Sequence, residues 1–105
     1  MPLRALGEPM PHRIEVFTGG CPLCRRALEA VEVGKCKDCE LLERNLATEP
    51  EKHAEAVRRY GVHAVPTIVV DGRIKVEGYP DFPWICGDEF YRLLEQRYSL
   101  LHPLE

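Results

Sequence analysis

The stretch Gly19-Gly20-Cys21-Pro22-Leu23-Cys24 decides how the chain is read. The run before it, Arg13-Ile14-Glu15-Val16-Phe17, alternates Ile14 and Val16 with polar neighbours and predicts a strand. The run after it, Arg25 to Val33, places Leu28 and Val31 on one face with Ala27 and Ala30 alongside, and predicts a helix. Two thiols therefore stand on the first turn of a helix, where a strand ends. Unpaired N–H groups and the positive end of the helix dipole face that position. Both favour thiolate over thiol, and thiolate is the reactive form. Cys21 is the more exposed by position, since Cys24 lies one turn further in. Pro22 loses no hydrogen bond at a helix start, and Arg25 and Arg26 add positive charge nearby. The pattern predicts a redox-active dithiol: Cys21 attacks a disulfide sulfur, and Cys24 then releases the product.

A chain of 105 residues has room for one domain and no second core. Its 45% hydrophobic and 30% charged content is that of a soluble globular protein, not a disordered or membrane one. A net charge of −3 argues against a nucleic-acid partner. Five cysteines, an odd number containing two Cys-x-x-Cys pairs, suit a cytoplasmic redox or metal protein better than a secreted disulfide scaffold. The first ten residues hold no apolar run of signal-peptide length, and no segment approaches a transmembrane span. The expectation is a cytoplasmic protein with no membrane partner. Residues 1–11, with three prolines, read as a flexible tail; 12–98 form the domain and 99–105 a C-terminal tail.

Further along, Gly34 suits the end of the first helix, and Lys35 to Cys39 is a polar connection. Glu40–Leu46 is helix-like in composition, but its place before another helix suggests a short strand. Thr48 reads as an N-cap with Glu49, Pro50 and Glu51 in the first turn, for a helix that runs through Ala54 and Val57 to Tyr60 and stops at Gly61. Val62–Val70 is apolar and β-branched, broken by Pro66. Asp71-Gly72 then marks a tight hairpin turn, and Arg73–Val76 the returning strand. Gly78 to Gly87 reads as a loop. Asp88–Tyr98 is a last helix with Phe90, Leu93, Leu94 and Tyr98 on its apolar side.

The order β-α-β-α-β-β-α, with Cys-Pro-Leu-Cys after strand one, Val65-Pro66-Thr67 before strand three and the Asp-Gly hairpin, resembles the thioredoxin-like superfamily over about residues 12 to 98. The resemblance implies an α/β fold with a central mixed four-stranded sheet and helices on both faces. It implies a cis bond before Pro66 that sets this loop against the dithiol. It implies that Cys21 attacks, that Cys24 resolves, and that Val65 offers backbone hydrogen bonds to an extended substrate. Pro22, Leu23, Pro66 and Thr67 would line the same surface. The activity implied is thiol–disulfide exchange without a cofactor, on a protein or small-molecule disulfide, with a separate, unidentified reductant. Cys-Pro-x-Cys is similar to the glutaredoxin motif. Glutaredoxins, however, commonly carry Tyr where Leu23 stands. They also show Gly-Gly and an acidic helix start where this chain has Gly78-Tyr79-Pro80-Asp81. These departures put glutathione binding in doubt.

Cys36-Lys37-Asp38-Cys39 is a second pair. A metal or iron–sulfur site shared with Cys21 and Cys24 is one reading. A straight helix would hold Cys36 about 18 Å from Cys24, whereas zinc needs every sulfur at about 2.3 Å. The other readings are an accessory dithiol or a pair without function. Cys86 is expected to be a packed, idle thiol. Glu15 matches the place of a buried acid in thioredoxins, but strand alternation puts it opposite Ile14 and Val16, so a surface carboxylate is expected. His12, His53, His63 and His102 show no ligand spacing, and His63 reads as a solvated loop residue. Tyr79 and Trp84 either rim the dithiol or pack within their loop. The rival functions are a metal or cluster carrier and a non-catalytic binding module of the same fold.

Overall fold

In the computed structural model, which describes residues 12–100, strand β1 (Arg13–Thr18) lies between β2 (Glu40–Asn45) and β3 (Thr67–Val70), with β4 (Ile74–Glu77) outside β3. The tail expected over 1–11, and the tail beyond residue 100, lie outside the described residues. β1 pairs parallel with β2, Val16 opposite Glu43, and antiparallel with β3, Val16 opposite Ile68; β3 pairs antiparallel with β4. A parallel pair needs a long crossover. Helix α1 (Pro22–Gly34) supplies it between β1 and β2. Helices α2 (Ala54–Tyr60) and α3 (Asp88–Tyr98) complete the order β-α-β-α-β-β-α around a mixed four-stranded sheet. This is a thioredoxin-like α/β fold.

Both faces of the sheet are covered. On one, Ile14, Val16, Ile68 and Val70 pack with Val31 of α1 and Tyr91 and Leu94 of α3. On the other, Phe17 and Val69 pack with Val62, Val57 and Tyr60, so α2 covers that side. Burying each such aliphatic side chain contributes about 1.5–3 kcal/mol before chain entropy is subtracted. Every β1 residue after Arg13 is buried, as expected of a strand enclosed on both faces.

That enclosure overturns the expectation for Glu15. The carboxylate does face away from Ile14 and Val16, but into the second core, where the residue is only 2% exposed. Arg44 Nε donates to its Oε1 at 2.6 Å, and Tyr60 Oη donates to Oε2 at 3.4 Å. Arg44 Nη1 also lies 3.0 Å from Nδ1 of the buried His53. The ion pair is what permits a carboxylate there.

Other boundaries differ for local reasons. The ambiguous Glu40–Leu46 is strand β2 over Glu40–Asn45. Thr48 is not an N-cap: Asn45 Oδ1 takes the N–H groups of Ala47 and Thr48, and turns occupy the chain until α2 begins at Ala54. Gly61, at φ 63°, closes α2 as predicted. Only Thr67–Val70 of the apolar run 62–70 is strand, the rest being the loop that carries Pro66. Asp71 and Gly72 are both left-handed, and Arg73 N–H closes on Val70 O at 3.0 Å, a tight hairpin turn. In α3, Tyr91 takes the buried place expected of Leu93, which is 52% exposed. At the end of the described residues, Ser99 bridges Ile74, and Leu100 N–H donates to Arg73 O.

The Glu15–Arg44 pair gives the first prediction. Arg44→Met leaves a buried carboxylate without its cation and should lower unfolding stability by about 3 kcal/mol. Glu15→Leu combined with Arg44→Met should recover most of that loss. Urea denaturation of both variants measures it; a single variant as stable as the parent would show the pair to be dispensable.

Candidate functional site

Two glycines bring β1 into α1, each for its own reason. A Cβ on Gly19 would stand 2.8 Å from Val65 Cγ2, so the missing side chain lets the loop of Pro66 close against the end of β1. Gly20 has φ 82°, a left-handed turn that suits glycine and delivers Cys21 to the helix as its N-cap. Pro22 follows at the helix start, where its missing N–H costs nothing.

Cys21 and Cys24 are both free thiols, with Sγ atoms 2.6 Å apart. That is about 0.6 Å more than a disulfide bond, so closure requires little motion. Their surroundings differ. Cys21 is partly exposed, and its Sγ accepts the Cys24 N–H at 3.2 Å. Hydrogen bonds from the Cys24 thiol and then the Cys24 N–H hold its pKa below that of an ordinary thiol. Arg25 and Arg26, expected to contribute, are exposed and are not among the leading causes. Cys24 is 1% exposed; burial first, and the hydrogen bond with Cys21 second, push its pKa up. Gly19 N–H donates to its Sγ at 3.3 Å, which works the other way. The pair thus presents one accessible sulfur poised as thiolate and one sheltered sulfur that keeps its proton.

The Val65–Pro66 bond is cis. Among the residues expected to meet a substrate, Pro22 and Leu23 are exposed and Val65 is half-buried. Pro66 and Thr67 are buried instead; Thr67 Oγ1 donates to Ala64 O at 2.7 Å and braces the loop from behind. A cleft of about 300 Å³ opens beside the dithiol, with Thr18, Cys21, Cys24, Glu29, Glu32 and Glu43 among its lining. Its carboxylates carried no motif by which they could be found in the sequence. On the other side of Gly19 a second hollow is lined by Leu46, Val62, Ala64 and Val65. Of the two aromatics considered for the rim, Trp84 is buried in the core, and Tyr79, although 42% exposed, lines a hollow on the flank of α1 without Cys21 or Cys24.

The family profile described as Thioredoxin domain matches residues 12–82. The chain belongs to the thioredoxin domain family. It is also similar to a protein of Acidithiobacillus ferrooxidans described as an uncharacterized 9.0 kDa protein in the mobE 3' region. The two are 34% identical over 64 residues, 59% of this chain and 71% of the relative. The thioredoxin domain and its cysteines fit a redox or thiol-related role. No helix among the described residues is long and apolar enough to cross a membrane.

The remaining cysteines group differently from the expectation. Cys36 is bonded to Cys86 rather than paired with Cys39, with Cα atoms 5.4 Å apart, so Cys86 is not an idle thiol. Gly34 makes the approach possible. A Cβ there would fall 1.7 Å from Trp84 O, and Cys86 N–H donates to Gly34 O at 3.0 Å. The loop before α3 therefore lies directly on the end of α1 and carries Cys86 to Cys36. Cys39 is a free, buried thiol beside them, and the three sulfurs lie within 4.8 Å of one another. The uninterrupted α1 separates this trio from Cys21 and Cys24, so the two Cys-x-x-Cys pairs do not share one metal.

The contrast between the paired thiols predicts a chemical order. In the reduced protein, alkylation of Cys21 should reach half its maximal rate at a lower pH than an ordinary thiol, because its thiolate forms earlier. Cys24 should need a higher pH. Iodoacetamide labelling with peptide mapping across a pH series checks this; faster labelling of Cys24 would reverse the assignment.

Proposed function

We propose that the protein is a thiol–disulfide oxidoreductase in which Cys21 is the nucleophile and Cys24 the resolving thiol. The observation that carries the reading is the asymmetry within the pair. An N-cap sulfur held toward thiolate lies 2.6 Å from a buried sulfur held toward thiol. A nucleophile needs the first state, and a resolving group that must wait its turn needs the second.

The Cys21 thiolate attacks one sulfur of the substrate disulfide. That S–S bond breaks, a mixed disulfide forms on Cys21, and the leaving sulfur takes up a proton. Cys24 then gives up its proton, helped by the Gly19 N–H aimed at its sulfur, and attacks Cys21 Sγ. The second substrate thiol departs, and Cys21–Cys24 becomes the disulfide. Two electrons and two protons have passed to the substrate, and a thiol or dithiol reductant restores the pair. The reverse sequence oxidises a substrate dithiol.

The substrate is a protein or small molecule bearing an accessible disulfide. Leu23, 44% exposed, and Val65 border Cys21 with apolar surface, and the Val65 backbone is offered as the rail for an extended chain. The proposed compartment is the cytoplasm. An odd number of cysteines with two Cys-x-x-Cys pairs suits a reducing compartment better than a secreted disulfide scaffold.

Cys21→Ser should abolish reduction of a model protein disulfide such as insulin. Cys24→Ser should instead accumulate a mixed disulfide on Cys21, detectable as added mass that a reductant removes. Full turnover by Cys21→Ser, or an adduct on Cys24 in the parent, would overturn the mechanism.

A further inference from the structure

We infer that Cys36, Cys39 and Cys86 form, once reduced, a three-thiolate site for a soft divalent cation, Zn²⁺ being the fitting case. Their sulfurs lie within 4.8 Å of one another. A cation that holds each at about 2.3 Å places them about 3.8–4.0 Å apart, so the sulfurs of Cys36 and Cys86, bonded here, part by about 2 Å on reduction, while Cys39, already within 4.8 Å of both, shifts little.

The surroundings are those of a built site. Cys36 and Cys39 lie on one turn, closed by Cys39 N–H donating to Cys36 O at 3.0 Å. Cys86 is fixed from outside by its own N–H on Gly34 O. Cys39 Sγ accepts the His12 backbone N–H at 3.4 Å. Outer donors of this kind orient and stabilise ligand thiolates. The disulfide seen here uses two of the sulfurs. It accounts neither for the third, buried beside them, nor for the His12 N–H donated to it.

Charge favours a cation here. The trio sits beyond the last turn of α1, whose dipole presents its negative end there. Three thiolates at that end would be unstable alone. With Zn²⁺ the site carries one net negative charge, and Lys35 and Lys37 flank Cys36. Among the described residues the cluster holds only these three ligands, which leaves a fourth position open to water or an added thiol. Metal entry requires two electrons from a dithiol: the Cys36–Cys86 bond breaks, two thiols form, and the dithiol becomes its disulfide. Zn²⁺ then displaces the three thiol protons into solvent. Oxidation of Cys36 and Cys86 would expel the ion.

The test uses the full chain carrying Cys21→Ser and Cys24→Ser, which removes the other dithiol and makes the outcome independent of its activity. The protein is reduced anaerobically with a phosphine and titrated with Zn²⁺ against a competing chelator. One ion per chain should bind, three thiols should become protected from alkylation, and Co²⁺ in its place should give thiolate charge-transfer absorption. Adding Cys39→Ser should weaken Zn²⁺ binding by more than the roughly 10–100-fold that losing an outer partner costs. Circular dichroism verifies that each variant is folded. Absence of Zn²⁺ binding, or binding unaffected by Cys39→Ser in a folded variant, overturns the proposal. So would disulfide mapping of the oxidised protein that finds Cys36 exchanging between Cys86 and Cys39, where the same protein once reduced takes up no metal, since the trio would then be a second exchange centre.

Discussion

Helix α1 is held by close approach at both ends, and each contact depends on a glycine having no side chain. Just before it, Gly19 lets Val65 in, and a Cβ would meet Val65 Cγ2 at 2.8 Å. At its last turn, Gly34 lets the Trp84 carbonyl in, where a Cβ would fall at 1.7 Å. The first contact sets the loop of Pro66 beside Cys21; the second sets Cys86 beside Cys36. Packing density leaves no slack for even one methyl group at such positions. The helix is thus a strut of fixed length with sulfur chemistry at both ends.

The two ends are electrically unlike. At the N-terminus, free N–H groups and the positive dipole end stabilise an anion without help, and the Cys24 N–H donates directly to Cys21 Sγ at 3.2 Å. A lone thiolate can persist there, as a nucleophile must. Beyond the C-terminus the same dipole opposes thiolates, and sulfur there is comfortable as a disulfide, as a thiol, or with a cation. One helix thereby separates two sulfur sites by electrostatics as well as by distance.

Much of this was legible in the sequence because it is local. Period-two and helical spacing gave β1 and α1, the Asp71-Gly72 dipeptide gave the hairpin, and Gly61 closed α2. The placement of Cys21 ahead of Cys24 followed from helix order alone. What escaped was set by tertiary contact. Nothing near Glu15 announces that α2 will cover its face or that Arg44, from the neighbouring strand, will neutralise it. Nothing near Cys36 announces a partner fifty residues on. That pairing depends on where a proline- and aromatic-rich loop lands, and loops without periodicity give no direction. The Thr48 cap failed for a local reason, since Asn45 Oδ1 ties Ala47 and Thr48 into a turn and the helix starts only at Ala54.

The burial of Glu15 also bears on where protons go during exchange. A carboxylate under the dithiol would be the natural acceptor for the Cys24 proton, and Glu15 stands at the sequence position where such a group is expected. Its chemistry is committed elsewhere: Arg44 holds one oxygen at 2.6 Å and Tyr60 donates to the other. The residues packed around its neighbour Phe17 belong to the α2 side of the sheet, opposite the face that receives Val31 of α1. Glu15 is not among the leading influences on Cys24, which are burial, the Cys21 thiol and the Gly19 N–H. Cys24 does line the cleft it shares with Glu29, Glu32 and Glu43. In the proposed exchange the proton of Cys24 therefore leaves outward, into the cleft bordered by carboxylates, rather than inward toward the committed Glu15. On that route the buried ion pair serves stability and the cleft would serve the proposed exchange, so the two can be altered independently.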